Sequence, residues 1–441
     1  MDIFPRAPLL TDKDDTESSE GGIDPLGTEP IADELGIALS PGVRERQSHP
    51  RFLTTTCVSL SLCEDYPADA FARDGVTPPW LVFEWYVVDG LVRSFGNNSK
   101  DVAGLPGRNK AALALKDGVP LSPRRYLKTP SVFGFHGIYR LLARTLGIEQ
   151  NGSLGERGYE LLQLWAKEQS LEGFLGTRNG PGTRVRQQLR DALRLGLDQG
   201  AVARGNGWEG WNFFGQHLAP YEFGRRERRF LADALLDDQK GFRREVLQFL
   251  VSERGSRVWL SRRSERRFQE GLRAQASPAL RRLLRAIDVY EGFSRLIQDA
   301  FDDCLYEMTR KNARISPREL GLLPSVKRAA RQVPQAFARA ADCLASISQT
   351  TLKFQQAFAN LAQRQSAHHW TQQLLEHHRA TQKQKPPDGK LPWFELYDNG
   401  SCHIRPLYWR HEPARNDRSY VHFYRTFPLW SFAMDLKMVR R

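Results

Sequence analysis

The clearest periodicity in the chain runs from Val333 to Leu361. Val333, Phe337, Ala340, Leu344, Ile347, Thr351, Phe354, Phe358 and Leu361 alternate spacings of four and three. That is a heptad seam. It predicts one long helix within residues 331–382, packed on a partner helix of this chain or of another subunit. A stripe through Tyr290, Phe293, Leu296, Ile297, Phe301 and Leu305 predicts a core helix. Trp80, Phe83, Val87, Leu91 and Phe95 keep helical register, and Pro78-Pro79 gives that helix a clean start. Val43 to Cys63 reads as one further helix, and Arg225–Leu236 with Lys240–Ser252 as a helical hairpin. Near the end, Trp393–Tyr397 and His403–Tyr408 flank Asp398-Asn399-Gly400, the signal of a β-hairpin. The fold class is therefore mainly α, multi-domain, with a long heptad-patterned helix and a small β-rich C-terminal region.

The segment from Ser122 to Glu168 carries the most information. Ser122-Pro123 and Thr129-Pro130 each place a hydroxyl at an N-cap and proline at the first helical position. Leu146-Gly147-Ile148 ends the second of these helices. Asn151-Gly152 then supplies the left-handed turn of a two-strand hairpin, and Tyr159, Leu162 and Trp165 mark another helix. With Arg108–Asp117 in front, the order is helix, turn, helix, small hairpin, helix.

Over about residues 108–169 this order resembles the winged helix-turn-helix superfamily. The family-like part is Leu146-Gly147-Ile148, five residues, then Leu154-x-x-x-Gly158. The resemblance implies that Val132–Leu146 is a recognition helix and that the unit docks on nucleic acid. Read from spacing alone, His136, Arg140 and Arg144 share one outward side with Phe133 a turn earlier, while Ile138, Leu141, Leu142 and Thr145 pack inward. Winged helices also serve as protein-docking modules, so that use stays open.

Charge sharpens this picture. The 441 residues carry a net +13, unevenly distributed. Residues 1–40 hold ten acids against Arg6 and Lys13, a net of −8, which leaves +21 on residues 41–441. The first forty residues, rich in glycine and proline, read as an acidic disordered tail. The basic body is dominated by arginine, a planar donor fork suited to phosphate, and implies a polyanionic partner, with duplex DNA as the expectation. No run is long enough to span a bilayer, no secretory signal is visible, and five scattered cysteines fit a reduced cytosol. The expectation is a cytoplasmic protein with no membrane partner.

The chain divides by composition into the tail, residues 41–170 with the winged unit, an arginine-rich helical domain at 171–330, the seam helix at 331–382, and a linker with an aromatic hairpin region at 383–441. In the third part Arg186, Arg190 and Arg194 are spaced by four, near the glycine-rich stretch with Trp208, Trp211, Phe213 and Phe214. Such a stripe can hold a strand and stack a base, or the aromatics can anchor a core. Residues 222–285 hold seventeen lysines and arginines against nine acids. Arg225, Arg226, Arg262, Arg263, Arg266 and Arg267 are its candidate phosphate contacts, which supply affinity rather than sequence choice. The seam and the C-terminal region are the candidate surfaces for other protein subunits.

Catalytic signatures are missing. No Walker A loop, HExxH, paired CxxC, GxSxG or dinucleotide fingerprint occurs. His368, His369, His377 and His378 cluster at the end of the seam helix, but residues eight apart on a helix are about 12 Å apart in rise, too far for one zinc ion without other ligands. No cofactor is expected. Glu84 and Asp89 are expected to pair with arginine. The resulting expectation is a non-enzymatic DNA-binding subunit of a larger complex, with a nuclease of dispersed active site as the alternative. The layout also resembles uncharacterised bacterial proteins encoded among phage-defence genes, through Arg46-Gln-Ser-His-Pro-Arg-Phe52, Phe230-Leu-x-x-x-Leu-Leu236 and Tyr290-Glu-Gly-Phe-Ser-Arg-Leu-Ile297, which implies an antiviral defence role.

Overall fold

Proline, glycine and serine punctuate the chain into helices that are mostly short. The computed structural model describes residues 24–439 apart from 68, 177–178, 239–240, 346–347, 386–387 and 416. In chain order these form α1 (Glu29–Leu39), α2 (Phe52–Cys63), α3 (Pro79–Phe95), α4 (Arg108–Lys116), α5 (Pro130–Phe133), α6 (Phe135–Thr145), β1 (Glu149–Gln150), β2 (Ser153–Leu154) and α7 (Glu156–Glu168). There follow α8 (Pro181–Gln199), α9 (Trp211–Leu218), α10 (Arg225–Leu236), α11 (Arg243–Val251), α12 (Glu253–Arg262), α13 (Glu265–Arg273) and α14 (Pro278–Lys311). The chain ends with α15 (Pro317–Leu320), α16 (Pro324–Leu344), α17 (Ser348–Phe358), α18 (Ala367–Lys383), the strands β3 (Phe394–Leu396) and β4 (Cys402–Ile404), and α19 (Thr426–Asp435). Two compact units result, one of residues 34–284 and 423–439, the other of residues 24–33 and 285–422.

In the larger unit α2 and α3 form the centre. Every side chain from Phe52 to Leu62 is buried, as expected of a helix apolar all round. Two of its hydroxyls bond within the helix, Thr56 donating to Phe52 O and Ser61 to Val58 O, while Thr55 Oγ1 is buried without a hydrogen-bond partner. Thr54 donates to Glu227, which also receives Arg51 Nε at 3.2 Å, and neither charged side chain reaches solvent. Arg51 also donates through its two terminal nitrogens to the carbonyls of Ala219 and His217, so each guanidinium nitrogen has an acceptor. The helix α3 packs on α2, α4, α6, α8 and α9. Gly90 makes the α9 contact possible, because a Cβ there would lie 2.2 Å from Phe214 Cδ2. Behind the surface, Glu168 accepts from the first amides of α10, at Arg226 and Glu227, and the C-terminal helix α19 packs on α11.

In the smaller unit α14 carries the core. Phe293 meets Phe354 and Phe358 at 5.0 and 5.2 Å between ring centroids, and Phe337 stacks on Phe354 at 4.9 Å. The β3–β4 hairpin pairs Phe394 with Ile404 and Leu396 with Cys402 around the expected Asn-Gly turn.

Several expectations are corrected. The acidic leader is helical from Glu29, with Asp24 accepting from the amides of Thr28 and Glu29 as a cap; residues 1–23 of the predicted tail lie outside the described residues. The helix predicted from Val43 starts only at Phe52, since Pro50 cannot sit inside it. The single seam helix is two helices, α16 and α17, packed on each other. Of the seam residues, Val333, Ala340, Leu344, Phe354, Phe358 and Leu361 are buried and Phe337 and Thr351 half-buried; Ile347 lies outside the described residues. The C-terminal region is less β-rich than expected and includes α19.

Candidate nucleic-acid interface

Residues 108–168 form the helix α4, the short helix α5, the helix α6, the two-residue strands β1 and β2, and the helix α7. The expected recognition helix is broken at Gly134 into α5 and α6. The cause is Glu84, which α3 holds under the start of α6. Its Oε1 accepts from Tyr126 OH at 2.7 Å and Phe135 N at 2.9 Å, and its Oε2 from His136 N at 2.8 Å. These are the amides that a helix start leaves without partners, and the dipole there favours a carboxylate. A Cβ at residue 134 would lie 2.3 Å from Glu84 Oε1, so glycine is required. Burial pushes the Glu84 carboxyl up to about 7, while the three donors pull it back. Glu84 is thus a cap, and the arginine partner expected for it is replaced by Tyr126 and two amides. Asp89 does pair with arginine, with Arg93 Nε at 2.8 Å. Neither Ser122 nor Thr129 caps with its hydroxyl.

The outward face of α6 differs from the expected one. His136 is 7% exposed and its ring stacks on Trp80 with centroids 4.5 Å apart. Burial, with Arg140 nearby, holds its pKa down to about 4, so the ring is neutral at physiological pH and belongs to the core. Phe133 lies under the Arg46 guanidinium, 4.5 Å from the ring centre. Arg140 and Arg144 do reach the surface, their side chains 42% and 46% exposed. Both turn toward Glu149 at the base of the hairpin, whose side chain is wholly buried. Arg144 Nε donates to Glu149 Oε2, and Arg140 Nε lies 3.9 Å from the same atom. The other carboxylate oxygen accepts from Gly152 N at 2.6 Å, within the predicted left-handed turn, where Asn151 and Gly152 have φ of 52° and 88°. One buried carboxylate therefore ties α6, its two guanidiniums and the hairpin turn together.

Sequence reasoning missed Glu149, and it missed the cations of the connection before α5. Arg124, Arg125 and Lys128 are all exposed on the connection before α5. Residues 108–155 hold eight lysines and arginines (Arg108, Lys110, Lys116, Arg124, Arg125, Lys128, Arg140, Arg144) against Asp117 and Glu149, a net of +6. Asp117 lies 3.9 Å from Arg125.

The arginine stripe of α8 has mixed duties. Arg186 donates to the carbonyls of Phe174 and Ser61 and is a structural residue. Arg190 pairs with Asp65 at 2.6 Å, and Arg194, mostly exposed, lies 3.5 Å from Asp191. The neighbouring aromatics are core: Trp211, Phe213 and Phe214 are buried, and Trp211 packs on Tyr86. Farther on, Arg225, Arg226, Arg263 and Arg267 are exposed. Arg263 holds the left-handed turn between α12 and α13, with φ of 46°. Arg266 is only part-exposed and bonds Glu270 at 3.0 Å. The side chain of Arg262 lies outside the described residues.

Three of the histidines of α18, His369, His377 and His378, serve structure. His378 bonds the Pro25 carbonyl through Nδ1 at 2.8 Å and accepts from Trp393 N through Nε2 at 3.0 Å. His377 bonds the Leu26 carbonyl and His369 lies at the Ser366 cap. Among the described residues no group of three or more His, Cys, Asp or Glu side chains is placed to hold a metal ion, and no helix is long and apolar enough to cross a membrane. No family model, curated protein or solved structure matches the chain.

Proposed function

We propose that this chain is a non-enzymatic nucleic-acid-binding protein that docks on duplex DNA through the basic face of residues 108–155. The observation that carries the reading is the charge of that segment: eight cations against two acids, one of them wholly buried beneath Arg140 and Arg144. Pairing with Glu149 orients both guanidiniums at the hairpin base and leaves one net positive charge there. The exposed Arg225, Arg226, Arg263 and Arg267 add sequence-independent phosphate contacts. The same-layout resemblance supports a place in a bacterial multi-protein defence complex. Fluorescence anisotropy of a labelled duplex at two salt concentrations tests the reading. Binding that weakens steeply with salt is expected, because each neutralised phosphate releases counterions; binding that is absent, or indifferent to salt, overturns it.

A second reading has one observation in its favour. Arg140 and Arg144 already have a carboxylate partner, which suits a surface that docks on another polypeptide. Unchanged duplex affinity after removal of that arginine pair favours it.

A further inference from the structure

A cleft of about 350 Å³ opens in the smaller unit, between the end of α14 and the segment after the β3–β4 hairpin. Tyr306, Arg310 and Asn312 line it from one side, Trp409, Arg410 and His411 from the other. The backbone N–H of Arg410 donates to Thr309 Oγ1 at 3.0 Å and pins the two sides together. Among the described residues, none that lines the cleft is a carboxylate. The acids nearby hold the guanidiniums from behind: Asp302 takes Arg410 Nη2 at 2.9 Å, and Glu307 takes Arg310 at 2.8 and 2.9 Å. Arg410 Nε is buried and has no hydrogen-bond partner, a donor lacking its acceptor. Trp409 is half-exposed, which leaves an indole face available in a molecule whose other tryptophans include Trp85, Trp165, Trp259 and Trp370, all fully buried.

We propose that this cleft binds a nucleotide unit, an aromatic base carrying a phosphate. The indole of Trp409 and the ring of Tyr306 offer stacking surface, which accepts any base because every base has a π-face. The carboxamide of Asn312 offers a donor and an acceptor to a base edge. Arg410 and His411 bind the phosphate. Arg310 counters the carbonyl end of α14, whose dipole disfavours an anion, so the phosphate goes to the Trp409–His411 side. The volume lies within the range of about 300–1,000 Å³ usual for small-ligand sites. The site lies outside the basic face of residues 108–155 and does not depend on the function proposed for it.

Isothermal titration calorimetry on the full chain tests the site, with adenosine monophosphate, adenosine, inorganic phosphate, and a short single strand with and without a terminal phosphate. Adenosine monophosphate is expected to bind more tightly than either of its halves. Trp409→Ala is expected to weaken it roughly tenfold by removing the stacking surface. His411→Ala, at an exposed position, and Arg410→Lys, which keeps the charge facing Asp302 while removing the Nε donor, are expected to weaken it severalfold. Thermal melting confirms that each variant is folded. Tighter binding of the phosphorylated strand than of the mononucleotide assigns the site to strand ends; the reverse assigns it to free nucleotide. Failure of both to bind, equal affinity for phosphate alone, or affinity unmoved by all three variants overturns the proposal.

Discussion

Glu84 accepts the Tyr126 phenol at 2.7 Å inside a fully buried site, and the same carboxyl oxygen caps α6 through Phe135 N. A long-range contact thereby fixes where the candidate recognition helix begins. Glu84→Gln keeps the size but turns an amide N–H toward one of three donors. One hydrogen bond disappears and two donors face each other without water. A loss of about 1–3 kcal/mol in unfolding free energy is expected, read by urea denaturation at neutral pH. An unchanged midpoint would show that Glu84 does not organise the helix start.

Glu265 gives the chain a pH-dependent stability of unusual sign. It is fully buried, accepts from Thr426 Oγ1 at 2.8 Å, and leaves Oε1 without a hydrogen-bond partner. Burial, with Glu45 as a like charge nearby, pushes its carboxyl from 4.5 up to about 8. The folded state therefore holds a proton that the unfolded state has released. Stability contributed by the neutral form is complete below about 4.5 and is lost as pH rises toward about 8. Glu84 acts in the same direction between 4.5 and about 7. Glu265→Gln is expected to flatten the fall of melting temperature between these values and to raise it at the alkaline end. A variant whose melting curve keeps the wild-type slope would remove Glu265 from this role.

How much of this was legible in the chain depends on whether the cause was local. The start of α3 was, because Pro78 and Pro79 act on their own neighbours. The Asn151-Gly152 turn was, because its left-handed φ values belong to those two residues. The break at Gly134 was not, because its cause is a carboxylate fifty positions earlier in the chain. His136 was misplaced for a geometric reason. Positions eight apart on a helix differ by about 80° around its axis, enough for His136 to face Trp80 while Arg144 reaches solvent. The seam failed differently. Leu344 and Thr351 are seven apart, so the heptad period continues across the turn after Leu344, and periodicity cannot distinguish a helix that goes on from one that folds back. Glu149 was invisible as a partner because only the closed hairpin returns it to α6.

The acidic leader reads from its sequence as a disordered tail, and its described part is not built that way. Leu26, Ile31 and Leu35 are buried, the Pro25 and Leu26 carbonyls receive His378 and His377, and the Thr28 carbonyl receives Tyr290 OH at 2.5 Å. Removing residues 24–36 along with everything before them takes away three large apolar anchors, each worth about 2–5 kcal/mol where truncated in a core. The truncated chain is expected to be unfolded or to melt far below the full chain in a thermal scan. An unchanged melting temperature would contradict the packing described for these residues.

The test of the interface must respect Glu149. Replacing Arg140 and Arg144 with glutamine leaves a buried carboxylate without its cations, so weaker binding by that double variant does not by itself separate a missing phosphate partner from a disturbed fold. The expected stability loss is about 1–3 kcal/mol, less than for a fully buried pair because both arginines are half-exposed. Adding Glu149→Gln removes the orphaned charge and is expected to restore most of that stability. If the two guanidiniums neutralise phosphates, the triple variant still binds duplex DNA less tightly than the wild type. The slope of log affinity against log salt is then shallower by about 0.9 for each phosphate left without its guanidinium. Anisotropy titrations across a salt series read both quantities together. A triple variant with wild-type melting, wild-type affinity and wild-type salt slope would show that the helix and hairpin meet DNA nowhere near these two arginines, and the reading of residues 108–155 as the docking face would fail.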